Sequence, residues 1–407
     1  MYIIIINFNY NYYRWRKSMA RASALVEAQN TLTQPIAPWL QDLWNGLPFT
    51  DFPHAVLIYG QAGIGKYDFA VKLAAALLCE CKDSEIRKPC LQCEACRWFA
   101  TGNHPDFIAL VPEIQRKYLP QVSLEGSQAD APVRPIKAVE DESEAEGSDK
   151  KEKRFIAIAQ AREVIGSLGL GSYRGGNRVI LVYPLEQLKP EAANTLLKSL
   201  EEPPPHTIFI LIAARLDRVL PTIRSRCHLL QAPKPKRAIG LSWLQNKIAN
   251  EKLKAISALE VEALYDEFGG APFAVYESLL ARNNQDEKDE LIVGALATKN
   301  LLQGLAKGIN IDWLNIAEKI HKAPAPILLT ALQRWCADLQ GLTQANRIRY
   351  YPKQTDVLKV LAKQVRLVKL MRFWKLLLQA RRHEHHPLAT RIQMEALLLQ
   401  YQNIFSD

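Results

Sequence analysis

The chain has 407 residues, of which 48% are hydrophobic and 23% are charged, and this composition excludes wholesale disorder. Seven cysteines are too few for a disulfide scaffold, and no apolar run reaches the roughly 20 residues of a membrane-spanning helix. The net charge of +10 is compatible with a polyanionic partner, and the length predicts two or three domains.

The N-terminal residues differ in composition from the rest of the chain. Residues 1–18 are rich in Asn, Tyr and Ile, and their apolar run is too short for a secretory signal. We interpret residues 1–34 as a disordered leader, or an upstream mis-assigned start, followed by a first helix. A short membrane or partner anchor is the alternative. Without a signal peptide, the expected compartment is the cytoplasm.

Five short β-rich segments alternate with longer helical patterns up to residue 232. Their continuous apolar runs are typical of strands buried on both faces of a parallel sheet with helical crossovers. The segments are 55–59, 107–111, 179–183, 208–213 and 228–232. From Pro233 onward, apolar residues recur at helical spacing. The sequence therefore predicts an α/β domain followed by an all-helical region, which the polar stretch RNNQDEKDE divides near residue 285.

The first predicted strand leads into a glycine-rich loop and a helix start. The loop has the pattern G-x-x-x-x-G-K and contains Gly60, Gly63, Gly65 and Lys66. Between a strand and a helix, such a loop directs backbone N–H groups toward a phosphate, and its lysine reaches the β and γ oxygens. The sequence therefore predicts a phosphate-binding P-loop.

The residues that nucleotide hydrolysis requires are missing. Tyr67 follows the lysine in place of the Ser or Thr that ligates Mg²⁺. Tyr183 and Pro184 replace the acidic pair expected at the end of a later strand, and Glu186 is expected to point elsewhere. We expect a loop that holds nucleotide weakly and does not hydrolyse it.

Five cysteines lie between residues 79 and 96 in the pattern C-E-C-x8-C-x2-C-x2-C. The short spacings allow Cys90, Cys93 and Cys96 to converge, and a thiolate from Cys79 or Cys81 would complete a tetrahedral site of four cysteines. Disulfides are disfavoured in the cytoplasm, so a metal is the better interpretation. We predict structural Zn²⁺, with an iron–sulfur cluster as the alternative.

Two later segments are strongly charged. Residues 113–153 contain a run with six acidic residues between Glu140 and Asp149, which predicts a mobile surface insertion or, alternatively, a segment that binds a partner. Four arginines lie in the twelve residues from Arg215 to Arg226. Surface salt bridges are the ordinary role of such residues. The sharper hypothesis is that Arg226 projects into a neighbouring subunit and stabilises the charge on a transferring phosphoryl group.

A basic tail lies near the C-terminus. Residues 347–382 hold eleven Lys or Arg residues and one acid, a net charge equal to that of the whole chain. We predict one long amphipathic helix with Lys359, Lys363 and Arg366 on one face. These three residues are candidate DNA contacts, and a solvated helix face is the alternative. We interpret HEHH at 383–386 as a helix-end charge cluster rather than a metal site.

These motifs together resemble the clamp-loader branch of the AAA+ ATPases. The resemblance rests on residues 192–230, which include LLKSLEEPP and Ser225-Arg226-Cys227, and on the P-loop, the cysteines and GNHPDF at 102–107. It implies a RecA-like AAA+ domain over 35–234 with a four-cysteine zinc module inserted at about 79–96. A small helical lid over 235–285 and an all-α collar domain over 286–407 would follow. The family also favours Cys79 over Cys81 as the fourth zinc ligand.

Departures from the family pattern distinguish between its subunit types. A γ/τ-like chain should keep Thr or Ser at position 67, an acidic pair at 183–184 and a polar residue near Ala214, and all three are absent. The chain therefore resembles the δ′ type, a subunit of the DNA-directed DNA polymerase III holoenzyme that is no enzyme on its own. The resemblance implies a hetero-oligomer with γ/τ and δ subunits, the β sliding clamp and primed DNA, and no membrane. Arg226 would complete the ATP site of an adjacent γ/τ subunit. The alternative is a self-sufficient DNA-stimulated ATPase of γ/τ type.

Overall fold

The computed structural model divides into two compact units, residues 1–234 and 235–407. It describes residues 32–82, 88–112, 155–169, 171–251, 253, 256–284, 290–382 and 390–405. The predicted acidic insertion, HEHH at 383–386 and most of the predicted leader lie outside the described residues. In the described part of the chain, no helix is both long enough and apolar enough to cross a membrane.

The N-terminal unit contains a parallel sheet of five strands in the order β2-β3-β4-β1-β5. The strands are β1 (Ala55–Tyr59), β2 (Phe107–Leu110), β3 (Arg178–Val182), β4 (Thr207–Ala213) and β5 (His228–Gln231). The α/β fold and its parallel sheet are confirmed. The expectation that all five strands are buried on both faces is wrong for the two edge strands. Three of the four residues of β5 are exposed, and β2 is mostly half-buried, because each pairs with a strand on one side only.

Helices cover the three central strands. They are α1 (Gln41–Asn45), α2 (Lys66–Leu78), α3 (Glu94–Ala100), α4 (Ile158–Leu168), α5 (Pro190–Glu201) and α6 (Pro221–Arg224). Helices α4 and α5 join the core on the face that contains Leu57, Ile180 and Leu211. Helix α2, which follows the P-loop directly, contacts β1, β3 and β4. The sheet therefore fixes the start of α2 beside the carboxyl ends of the central strands.

The described residues of the C-terminal unit form helices and no strands. Its helices are α7 (Arg237–Asn250), α8 (Ala258–Glu267), α9 (Pro272–Asn284), α10 (Glu290–Leu305), α11 (Trp313–Ile320), α12 (Ala325–Ala345), α13 (Thr355–Gln364), α14 (Leu367–Arg382) and α15 (Thr390–Gln402). One hydrophobic cluster contains residues of α7, α8 and α9, and a larger one surrounds Trp335 of α12. In the sequence, the first cluster precedes residue 285 and the second follows it. A separate lid and collar remain a prediction.

The single long helix predicted for the basic tail is wrong. Helices α13 and α14 are separated at Val365, whose backbone is extended (φ −80°, ψ 130°), and Arg366. The reason lies in the phase of the apolar residues. Leu361 and Leu370 are both buried, but nine residues of continuous helix would place them about 180° apart around the axis. The break allows each helix to bury its own apolar face against α12.

Candidate functional site

The P-loop has the backbone geometry that its glycines require. Gly60, Gly63 and Gly65 have φ angles of 149°, 71° and 85°, which disfavour residues with a side chain. A Cβ atom at Gly60 would lie 2.6 Å from the carbonyl oxygen of Ala232, so the close approach of the segment after β5 also demands glycine. Gly65 caps α2 and ends the loop at the helix N-terminus. The loop therefore has the strand–loop–helix arrangement of a phosphate site.

Lys66 is folded back onto this loop. Its side chain is buried, and Nζ donates hydrogen bonds to the carbonyl oxygens of Gly60 at 2.7 Å and Gln61 at 2.6 Å. Burial lowers the pKa of Lys66 to about 8, although the nearby Glu186 carboxylate acts to raise it. The ammonium group is thus satisfied by neutral carbonyls.

The two tyrosines at which the sequence departs from the hydrolytic pattern contact each other. The rings of Tyr67 and Tyr183 have centroids 5.1 Å apart, with an angle of 38° between their planes. The Tyr67 hydroxyl is buried and has no hydrogen-bond partner among the described residues, and burial raises the pKa of Tyr67. The two departures seen in the sequence therefore meet in space and present two rings instead of a hydroxyl and a carboxylate.

Glu186 is held at the carboxyl end of β4. Its Oε1 accepts hydrogen bonds from the backbone N–H groups of Ala214 at 2.6 Å and Arg215 at 2.8 Å. The carboxylate therefore caps backbone groups that would otherwise lack a partner. Ala214 and Arg215 follow Glu186 by 28 and 29 positions in the chain. No local pattern in the sequence indicates these hydrogen bonds.

Arg226 lies between α6 and the edge strand β5, and its side chain is 30% exposed. Its guanidinium donates to the carbonyl oxygen of Thr222 at 2.7 Å and forms an ion pair with Glu201 at the end of α5. Its Nε is buried and has no hydrogen-bond partner within the described residues. Arg215, in contrast, forms a surface ion pair with Asp217 at 2.6 Å, as the ordinary interpretation of these arginines predicts.

Four cysteines converge beside the C-terminal end of α2. The sulfur atoms of Cys79, Cys90, Cys93 and Cys96 all lie within 4.8 Å of one another. Cys81 is described by the structure as well, and it lies outside this group. The Cys79–Cys93 and Cys90–Cys96 sulfur pairs are 4.0 and 3.9 Å apart. A tetrahedral Zn²⁺ site with Zn–S bonds of about 2.3 Å requires sulfur atoms about 3.8 Å apart. The four thiols can therefore hold a metal ion, and their spacing fits zinc.

Backbone N–H groups donate hydrogen bonds to these sulfur atoms, although burial raises the pKa of the Cys79 and Cys96 thiols. The N–H groups of Cys93 and Cys96 donate to the sulfur atoms of Cys90 at 3.3 Å and Cys93 at 3.4 Å. Burial acts to raise the pKa of the Cys90 thiol, but backbone donors, Cys93 first among them, outweigh it and lower that pKa to about 6. A thiolate at neutral pH is the form that binds a metal.

A polar network that the sequence does not signal connects the cysteine module to the segment before β3. Arg174 pairs with Glu80 at 2.5 Å and Glu94 at 3.0 Å, and its guanidinium lies 4.7 Å from the ring centroid of Trp98. Asp106, within the GNHPDF motif, is 1% exposed and accepts the backbone N–H of Arg174 at 3.1 Å. This motif therefore has a structural role beside the module.

The three candidate DNA contacts are all exposed in the C-terminal unit. Lys359 and Lys363 lie on α13, whereas Arg366 lies at the break before α14. They therefore do not share one helix, although all three remain at the surface.

Comparisons with known proteins give consistent results. A family model described as "DNA polymerase III, delta subunit" matches residues 38–236. The DNA polymerase III subunit delta′ of Pseudomonas aeruginosa is 31% identical over 342 residues, which cover 81% of this chain and 88% of that relative. The corresponding subunit of Escherichia coli is 27% identical and covers 70% of this chain and 68% of its own length. A solved gamma subunit-related protein from Thermotoga maritima is 13% identical, covers 90% of this chain and 98% of its own, and has a TM-score of 0.34, which is too low to support a functional statement.

Proposed function

The chain belongs to the family of DNA polymerase III delta′ subunits, and from this premise we propose that it is a non-catalytic subunit of a clamp loader. It joins γ/τ and δ subunits in a cytoplasmic hetero-oligomer that uses ATP to open the β sliding clamp and load it onto primed DNA during replication. Its own contribution is a rigid support and Arg226, which enters the ATP site of a neighbouring γ/τ subunit.

The single observation that carries this proposal is the contrast between the P-loop and Arg226. Hydrolysis requires a hydroxyl and a carboxylate around Mg²⁺, and Tyr67 and Tyr183 offer a pair of packed rings at these positions. The nearby Glu186 carboxylate is engaged by backbone N–H groups through its Oε1 atom. The chain's own site is therefore expected not to hydrolyse ATP.

Arg226 is suited to act outside its own subunit. It lies next to the exposed edge strand β5, and its permanently charged, planar guanidinium matches the oxygens of a phosphoryl group. The ion pair with Glu201 must open before Arg226 reaches a neighbour's nucleotide. Because the side chains of Arg226 and Glu201 are 30% and 48% exposed, this pair is worth only about 0–1 kcal/mol. Its release is therefore a small cost beside the gain at a transferring phosphoryl group.

The cysteine module serves structure in this proposal. Cys79, Cys90, Cys93 and Cys96 supply four ligands, which is the complete shell of a structural zinc site, with no position left for substrate. When bound, zinc supplies a cross-link between the end of α2 and α3. Arg174 extends that link to the segment that leads into β3.

A self-sufficient ATPase of γ/τ type is the second candidate function. One observation favours it, namely the intact glycine geometry of the loop, with Lys66 at the start of α2. This candidate requires a metal to be held without the usual hydroxyl and acidic pair, and it requires Lys66 for activity.

One experiment separates these candidates. The protein is co-purified with γ/τ-type and δ-type partners, and the ATPase rate of the assembly is measured for wild type, Arg226→Ala, Lys66→Ala and Arg224→Ala. Arg224 is the matched control, because it is an exposed arginine two residues from Arg226. We expect a large loss for Arg226→Ala alone, since an arginine finger contributes about 10³–10⁵ to the rate at its site.

Other outcomes would contradict the proposal. A loss in Lys66→Ala with no loss in Arg226→Ala supports the self-sufficient ATPase, as does rapid ATP hydrolysis by the purified subunit alone. Equal losses for Arg226→Ala and Arg224→Ala would show that general positive charge, rather than a specific guanidinium, matters at this edge.

A further inference from the structure

The outward faces of α13 and α14 carry a row of cations. Helix α13 buries Leu358 and Leu361, and α14 buries Leu370, Phe373 and Leu377. The opposite faces expose five basic side chains, which we name the basic face: Lys359, Lys363, Arg372, Lys375 and Arg382. Because both helices pack against α12, these outward faces point away from the core of the C-terminal unit.

The residues that the structure describes do not neutralise the charge of the basic face. Among the residues that the structure describes, none of its five side chains has an ion-pair or hydrogen-bond partner. Residues 347–382 contain Asp356 as their one acid, so this segment alone has the net charge of the whole protein. Solvated helix faces usually alternate positive and negative charges, and this face does not. A concentrated, unpaired positive charge is complementary to a polyanion.

The basic face matches the dimensions of a nucleic-acid backbone. On α14, Arg372 and Arg382 are ten residues apart, or about 15 Å along the helix, and Lys375 lies on the same side. Over that length a DNA duplex presents about nine phosphate charges. Building on the proposed role of this protein at DNA, we propose that the basic face binds the phosphate backbone of duplex DNA.

The composition of the face favours duplex over single-stranded DNA. Proteins that hold single strands combine cations with exposed aromatic rings on which bases stack. The exposed apolar residues of α13 and α14 are aliphatic, with Val360 and Val368 the most exposed, whereas Phe373 is buried and Trp374 is half-buried. The face offers charge without a stacking platform. Binding therefore depends on salt and not on sequence.

The test uses the full-length protein without partners. Anisotropy of a fluorescent duplex and of a single strand of equal length is measured between about 50 and 200 mM salt, where backbone contacts dominate the affinity. The variant combines Lys363→Gln, Arg372→Gln and Lys375→Gln. The control combines Lys299→Gln, Lys319→Gln and Lys322→Gln, which changes the same charge on other exposed positions of the same unit.

We expect the basic-face variant to bind duplex on the order of 100-fold more weakly at ~100 mM salt, with the slope of log K against log salt reduced by about 3. The control should bind as wild type does. Unchanged urea midpoints in both variants establish that they fold. Because this assay involves neither ATP nor Arg226, its failure leaves the proposed completion of a neighbour's ATP site intact.

Four results overturn the proposal. In the first, the control binds duplex as weakly as the variant does, which would show a general charge effect. In the second, the variant loses affinity for the single strand and keeps its affinity for duplex. In the third, binding to vesicles with anionic lipid headgroups depends on the basic face, whereas binding to duplex does not. Finally, the variant fails to co-purify with γ/τ-type partners yet binds duplex normally, in which case this face is a subunit interface.

Discussion

Replacing Cys79 with serine tests the metal centre. The change removes one of four sulfur atoms that lie within 4.8 Å of one another, and a serine hydroxyl is a much poorer ligand for Zn²⁺ than a thiolate. The unfolded chain has no preformed site, so zinc binding adds directly to the free energy of unfolding. With free zinc buffered about 100-fold above the Kd, wild type gains about 2.7 kcal/mol, and Cys79→Ser should lose this gain.

Cys81→Ser is the matched control, because Cys81 is two residues away and lies outside the group of converging thiols. Zinc released per chain is measured with a colorimetric chelator, and stability is measured by urea unfolding in buffered zinc and in excess chelator. We expect one zinc per chain in wild type and Cys81→Ser, and less than one in Cys79→Ser. Zinc retained by Cys79→Ser and lost from Cys81→Ser would refute the choice of the fourth ligand. Wild-type protein without bound zinc would refute the site.

Two further predictions concern groups buried in the N-terminal unit. Asp106→Asn should lower the free energy of unfolding by about 3–5 kcal/mol, because it removes the charge that faces buried Arg178 at 3.5 Å and weakens two backbone hydrogen bonds. The control Asp217→Asn, at an exposed ion pair, should lower it by at most about 1 kcal/mol. Urea unfolding of both variants measures this difference, and equal costs would contradict it. The pKa of Lys66 is about 8 in the folded state, against an ordinary value of 10.5. Between about pH 8 and pH 10.5 the unfolded chain therefore binds more protons than the folded chain. The free energy of unfolding should rise with pH across this range, by up to about 3 kcal/mol. The same increase must be absent from Lys66→Met, and an identical pH dependence in both proteins would exclude Lys66 as its source.

The sheet could be predicted from the sequence because its strands are short, continuous apolar runs. The exposure of β5 was not predicted, since its apolar residues Leu229 and Leu230 resemble those of a central strand. Strand order decides this difference, and strand order depends on pairing between segments far apart in the chain. The apolar pattern alone therefore gives the strand but not its place at the edge.

The break between α13 and α14 follows from which residues the fold buries, and a count of apolar residues does not identify them. No Pro or Gly marks Val365 and Arg366, and apolar residues continue on both sides. The phase of the buried positions shifts between Leu361 and Leu370, however, which a single straight helix cannot accommodate. Helical phase, rather than composition, was the relevant evidence.

The candidate site shows the same limit. Each missing hydrolytic residue was evident from the sequence, but the contact between Tyr67 and Tyr183 was not, because it joins a helix start to a strand end far away in the chain. The caps made by Glu186 and Asp106 also depend on long-range contacts. The convergence of Cys90, Cys93 and Cys96 was predictable, since their spacing confines them to one short loop.

The central claim is that this chain does not hydrolyse its own nucleotide and completes a neighbour's site with Arg226. Its most direct test is the phosphate released in a single turnover by the assembled complex, compared between wild type, Lys66→Ala and Arg226→Ala. We predict that Arg226→Ala lowers the amount of phosphate released in this turnover, the burst, by one phosphate per complex. Lys66→Ala should leave the burst unchanged. A burst lowered by Lys66→Ala and unaffected by Arg226→Ala would contradict the claim.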